Sequence, residues 1–128
     1  MSNKADAIVS AIIAKWRAGF AALDAAALSS LYARNAFFFG SNPKLYRGRD
    51  GVADYFNGLP RWRKSSAVFS EVKAAQAGPD LINMGATITF DLAGERTEFV
   101  VKMSWVIIRE DGDWKIVNHH ASAKAPLI

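Results

Sequence analysis

The sequence predicts an α+β fold, a cone-shaped half-barrel in which a curved antiparallel sheet wraps around three N-terminal helices. Three observations carry this reading. Apolar residues in the first half recur every three or four positions, the period of a helix with one buried face. In the second half they alternate, the period of a strand. Two of the alternating segments, residues 81–92 and 97–110, are about twice the usual strand length, and a sheet that long must twist and curl.

Composition sets the outer bounds. A chain of 128 residues, 51% hydrophobic and 22% charged, has the size and apolar content of one globular domain spanning residues 1–128. It contains no cysteine, which excludes a disulfide scaffold, a thiolate zinc site, an iron–sulfur cluster and a thiol nucleophile. No apolar run approaches the ~20 residues of a membrane span. The N-terminus is polar and leads into a helical pattern, so a cytoplasmic protein is expected. A net charge of +4 permits an anionic partner without requiring one.

The first helix is expected from Asn3 to Leu23, with Ile8, Ile12, Trp16, Phe20 and Leu23 on one stripe. Asp24 is a good N-cap for a second helix that carries Leu28, Leu31 and Tyr32. Phe37-Phe38-Phe39 reads as a short buried strand, closed by the turn residues Gly40-Ser41-Asn42-Pro43. Asp50 is a second candidate N-cap. Val52, Tyr55, Phe56 and Leu59 follow it at helical spacing, and Pro60 ends that helix.

Four longer strands complete the chain. The first covers about Ala67–Ala77 and stops at Gly78-Pro79-Asp80. In the second, Leu81–Leu92, the residues Ile82, Met84, Ala86, Ile88, Phe90 and Leu92 share a face, and Gly85 suggests a bend. A turn at Ala93-Gly94 leads to the third, Thr97–Glu110. Its core face is the odd set Phe99, Val101, Met103, Trp105 and Ile107. Asp111-Gly112 is a tight-hairpin signal, and Trp114–Ser122 is the last strand.

Several motifs then fall into a familiar order: Leu28-x-x-Leu31-Tyr32-Ala33-x-x-Ala36, then Arg47-Gly48-x-x-Gly51-x-x-x-Tyr55-Phe56, then Asp111-Gly112-x-Trp114-Lys115-Ile116-Val117-Asn118-His119-His120-x-Ser122. Together they make the chain resemble the nuclear transport factor 2-like superfamily over nearly its whole length. Within it, the SnoaL-like group and the association (hub) domain of calcium/calmodulin-dependent kinase II are the nearest in pattern. The resemblance implies a conical pocket and dimerisation through the outer sheet face. Activity varies so widely in this superfamily that fold transfers better than function.

Ketosteroid isomerases of the superfamily place a general-base Asp just past the first strand. By the same resemblance, Gly40 stands at that position here, and glycine takes no proton. Asp54 and Glu98 fall on solvated faces. His119 and His120 are the only histidines. Adjacent in a strand, they point to opposite faces, so they do not share one metal ion, and no metal or cofactor is expected. Alternation leaves two inward sets open: Trp114, Ile116, Asn118 and His120, or Lys115, Val117, His119 and Ala121. The hub domain's basic pocket residues correspond to Ala121 and Trp105, which implies that the odd set faces in and makes His119 the pocket histidine.

The candidate pocket is therefore His119, Trp105, Met103, Tyr32, Tyr55, Trp16 and Phe39. With both hub arginines replaced, it is expected to take a small apolar or aromatic molecule whose carbonyl or carboxylate meets His119 or a tyrosine hydroxyl. Arg47, Arg49, Arg61, Arg63 and Lys64 surround Trp62, but no basic stripe continues along the strands, so no nucleic acid is expected. Gly48-Arg49-Asp50-Gly51 lacks phosphate-loop spacing. Val100, Val106 and Ile108, joined by His120, put three aliphatics on the outer sheet face and suggest a homodimer. Three functional readings follow. The first is small-molecule binding with weak SnoaL-like catalysis. The second is a stand-alone association module. The third is an isomerase, cyclase or dehydratase that pairs His119 with Tyr32 or Tyr55.

Overall fold

A computed structural model describes residues 4–93 and 96–125. The expected helix start at Asn3 and the turn glycine Gly94 lie outside them. In chain order the elements are α1 (Lys4–Ala22), α2 (Ala25–Ser29), β1 (Tyr32–Phe39), β2 (Leu45–Arg47), α3 (Gly48–Asn57), β3 (Lys64–Gly78), β4 (Leu81–Ala93), β5 (Arg96–Glu110) and β6 (Asp113–Ala123). They form the expected α+β cone, with one curved sheet in the order β2-β1-β6-β5-β4-β3. Its pairings are antiparallel except for β1 with β6, which run parallel, so the sheet is mixed and not purely antiparallel.

Local chemistry moves three boundaries from their expected places. Asp24 does cap α2, its carboxylate accepting from the Ala27 N–H at 3.0 Å. The helix nevertheless stops at Ser29. The Ser29 and Ser30 hydroxyls bond back to the Ala26 and Ala27 carbonyls, and the Ile116 N–H takes the Leu31 carbonyl at 2.9 Å. Tyr32 therefore opens β1 instead of closing a helix. Asp50, unlike Asp24, is not a cap. Arg47 holds the cap position three residues earlier and the chain enters α3 through Gly48, at φ +71°, leaving Asp50 in the first turn where its charge suits the helix dipole.

Nor is the Phe37–Phe39 triplet buried throughout. Phe38 is 1% exposed, whereas Phe37 and Phe39 are 44% and 37% exposed. Strand alternation requires this, because Ala36 and Phe38 share a face and Asn35 marks the other.

Alternation holds along β4 and β5. Ile82, Met84, Ile88, Phe90 and Leu92 are buried from β4, and Val101, Met103, Trp105 and Ile107 from β5. Trp16, Phe20, Val9 and Ile12 of α1 pack over them, with Val52 and Phe56 of α3. The Ser65 hydroxyl donates to the Phe20 carbonyl at 3.0 Å, and Arg17 Nε to the Ala67 carbonyl at 2.7 Å, tying α1 to β3. Glu110 closes the other end. Its carboxylate accepts from the Arg34 backbone N–H at 3.1 Å and from Arg49 at 3.2 Å, while Arg49 Nε holds the Tyr32 carbonyl.

Irregular pairings let the sheet curve. Register shifts fall between Ser70 and Lys73 of β3, where Glu71 has φ 53°, and between Val106 and Ile107 of β5. The second shift matters most. Val106 pairs with Asn118 and Ile107 with Ile116, which leaves Val117 of β6 as the extra residue. Ile116 before the bulge and His119 after it both end up buried. Neither the even nor the odd set of β6 faces inward as a whole, so the expectation of a single inward set is corrected.

Candidate functional site

The site is built around the imidazole of His119, which is 2% exposed. Its ring lies parallel to Phe38, the register neighbour from β1, with centroids 3.9 Å apart and planes 22° apart. Nδ1 is approached by two groups, Trp105 Nε1 at 3.0 Å and the Tyr32 hydroxyl at 2.8 Å. The Tyr32 oxygen in turn accepts from Trp16 Nε1 at 3.1 Å. Indole N–H groups only donate, so Nδ1 must be an acceptor and the ring proton sits on Nε2. Burial, with the neighbouring His120 charge as a lesser cause, lowers the His119 pKa to about 3. Burial likewise raises the Tyr32 phenol well above its ordinary value, so both groups are neutral at pH 7.

A cavity of about 400 Å³ opens between the helices and the inner sheet face. Of the expected pocket residues, His119, Met103, Tyr55 and Trp16 line it. Trp105 and Tyr32, each fully buried, stand behind His119 and hold it rather than forming the wall. Phe39 points outward against His120, and Phe38 takes the position assigned to it. The rest of the wall includes Phe20, Phe56, Leu59, Pro60, Phe90 and Phe99. No Asp, Glu, Lys or Arg is found among the described lining residues.

Sequence reasoning missed three features of this cavity. Phe38 was legible, because Asn35 shows which face of β1 is polar. Trp62, whose buried Nε1 finds no partner among the described residues, joins the wall from the segment after α3. That segment carries no periodicity to read. The third feature is the role of Gly40. A Cβ there would sit 2.5 Å from Cζ and 2.6 Å from the hydroxyl of Tyr55. The phenol fills the space a side chain at position 40 would need. From there it donates to the Ser41 hydroxyl at 2.8 Å and accepts from the Ser41 N–H at 2.9 Å.

On the opposite sheet face, Val100, Val106 and Ile108 are half-buried and His120 is exposed. Phe37, Asn118 and Val106 follow one another across β1, β6 and β5 in register. Of the basic residues near α3, Arg61 bonds the Leu23 carbonyl and Arg47 lies over Phe37. Among the described residues no cluster of three His, Cys, Asp or Glu could hold a metal, and no helix is long and apolar enough to cross a membrane.

Residues 9–126 match the SnoaL-like domain over almost the whole chain. The chain belongs to the SnoaL-like domain family. A search of curated proteins found no match. Solved structures share this SnoaL-like fold at low identity. A proposed calcium/calmodulin-dependent protein kinase II association domain from Xanthomonas campestris is 23% identical, with 94% of this chain and 87% of that one covered and a TM-score of 0.83. An NTF2-like protein of unknown function from Pseudomonas putida is 17% identical, with coverage of 99% and 92% and a TM-score of 0.84. The hexachlorocyclohexane dehydrochlorinase LinA-type3 of Novosphingobium barchaimii is also 17% identical, with coverage of 94% and 86% and a TM-score of 0.75. Members with this much structural likeness and this little identity share a fold; the chemistry of each is decided by its own cavity.

Proposed function

We propose that this SnoaL-like protein binds a small, apolar or aromatic molecule in the cavity, as a homodimer. The observation that carries the reading is a cavity of about 400 Å³ walled chiefly by aromatic and aliphatic side chains, with the buried imidazole of His119 among them. That is the size and composition of a small-ligand site, in which few polar groups fix orientation. Trp16 and Trp62 in the wall make intrinsic fluorescence the natural readout. Small neutral aromatics should quench it saturably, and His119→Ala should weaken that binding at least about tenfold. An unchanged titration with the variant would make His119 a packing residue, and the absence of saturable quenching in the wild type would remove the reading.

The association-module reading has its own support in the outer sheet face. Phe37 and Phe39, both more than a third exposed, extend the apolar surface of Val100, Val106 and Ile108. We take a second copy as its occupant. Val106→Asp, a charge in the middle of that face, should convert dimers to monomers by light scattering; an unaltered mass would place the interface elsewhere. A ketosteroid-isomerase-like reaction is the weaker reading. Tyr55 occupies the place of the expected carboxylate, and no carboxylate lines the cavity among the described residues.

A further inference from the structure

We propose that the cavity selects an uncharged carbonyl compound and that His119 serves it as a fixed hydrogen-bond donor through Nε2–H, not as a base. The inference rests on the binding reading above and names the ligand class. It starts from the donor count at Nδ1. Trp105 can only donate to that atom, at 3.0 Å. The Tyr32 oxygen already accepts from Trp16, so the remaining phenolic hydrogen also points at Nδ1, 2.8 Å away. Two donors on one lone pair fix one tautomer. Moving the ring proton to Nδ1 would set it against the Trp105 N–H, which has nowhere to turn because Trp105 is fully buried.

The ring plane is fixed as well, by Phe38 stacked 3.9 Å away. Nε2 is therefore the one atom of the imidazole left to meet a ligand, and no described group bonds it. It presents a hydrogen, so the ligand atom opposite must be an acceptor. The titratable groups next to the ring are Tyr32 from β1, which bonds it, and His120, its neighbour on β6; Tyr55 from α3 lines the same cavity. His120 is exposed and lies outside the cavity wall, and the described lining has no Lys or Arg to balance an anionic ligand. A carboxylate would lose its hydration in this wall without an opposite charge. A ketone, quinone or ester oxygen loses far less and gains the N–H. A neutral imidazole donating in this way also polarises the carbonyl it holds. Trp105, Tyr32 and Trp16 act through His119 and are positioning residues.

Three matched probes test this: 2-acetylnaphthalene, 2-ethylnaphthalene and 2-naphthoate, titrated by tryptophan fluorescence at pH 7. The ketone should bind about tenfold tighter than the hydrocarbon, and the carboxylate should bind worst. Trp105→Phe should shrink the ketone's advantage while leaving the hydrocarbon's affinity within about twofold. In parallel, ¹⁵N chemical shifts of His119 should report the Nε2–H tautomer between pH 5 and 8 in the wild type and a mixture of tautomers in Trp105→Phe. Equal binding of ketone and hydrocarbon would overturn the donor role and leave the binding reading intact. Tightest binding by 2-naphthoate would overturn the neutral-ligand assignment, and an Nδ1–H signal would overturn the tautomer argument. If none of the three binds, the binding reading itself fails, and this inference with it.

Discussion

Lowering the pH from 7 toward 4 should destabilise the protein by up to about 1.4 kcal/mol per unit, beginning near pH 6.5, because one histidine refuses to be protonated. His119 is held near pKa 3 in the folded chain and returns to about 6.5 when unfolded. Its folded pKa is depressed, so the unfolded chain takes up the proton first. The stabilisation is complete above pH 6.5 and drains away as pH falls toward 3. Glu71, whose carboxyl lies below its ordinary value because of Thr87 and Lys124, adds loss in the same direction only at the acid end, below its unfolded value. Between pH 7 and 5 the slope therefore belongs chiefly to His119. Urea midpoints measured across that range should fall for the wild type and stay nearly flat for His119→Gln. Parallel slopes in the two proteins would show that His119 titrates normally. Burial also gives an alkaline arm: it raises the Tyr32 phenol in the fold against the lowering effect of the Trp16 hydrogen bond, so stability should also decline once pH rises past about 10.

Gly40→Ala should cost about 1–3 kcal/mol even though Gly40 is not in the left-handed region that favours glycine. The cost is steric. The new methyl would lie 2.5–2.7 Å from two ring carbons and the hydroxyl oxygen of Tyr55. That ring has little freedom to yield, because it packs on Phe38 at 4.6 Å and on Phe56 at 5.1 Å and is held by Ser41 through its hydroxyl. The decisive comparison is a double-mutant cycle. In a Tyr55→Leu background the clash has no partner, and Gly40→Ala should become nearly neutral by urea titration. Tyr55→Phe keeps the ring and should keep the penalty. Additive costs in the Leu background would show that position 40 is sensitive for some reason other than the phenol.

Much of this architecture was legible because its signals are periodic. The even set of β4 and the odd set of β5 each name their buried face without help from the rest of the chain. What alternation did not carry was an interruption. One extra residue at Val117 switches the inward parity of β6, so Ile116 and His119 are both buried, a combination neither simple set contains. His119 was reached by resemblance, and the bulge is its physical reason. Phe39 was misplaced for the opposite cause. Three consecutive phenylalanines look uniformly apolar, and only Asn35 two residues earlier discriminates the faces. The tautomer-fixing contacts of Tyr32 and Trp105 join residues 87 and 14 positions from His119, and the first depends on the parallel β1–β6 pairing, which local pattern does not reveal. The crowding of Gly40 by Tyr55 has the same origin, since it is a contact between a loop and a helix set by packing.

The most direct measurement is a high-resolution crystal structure of the protein as purified, without added ligand. The expected result is an open cavity between α1, α3 and β4–β6, with density for a compact uncharged molecule or ordered water whose oxygen lies within hydrogen-bond reach of His119 Nε2, and with Nδ1 still held by Tyr32 and Trp105. Side chains collapsed into that volume, or a His119 ring turned so that Nδ1 faces the cavity, would contradict the account.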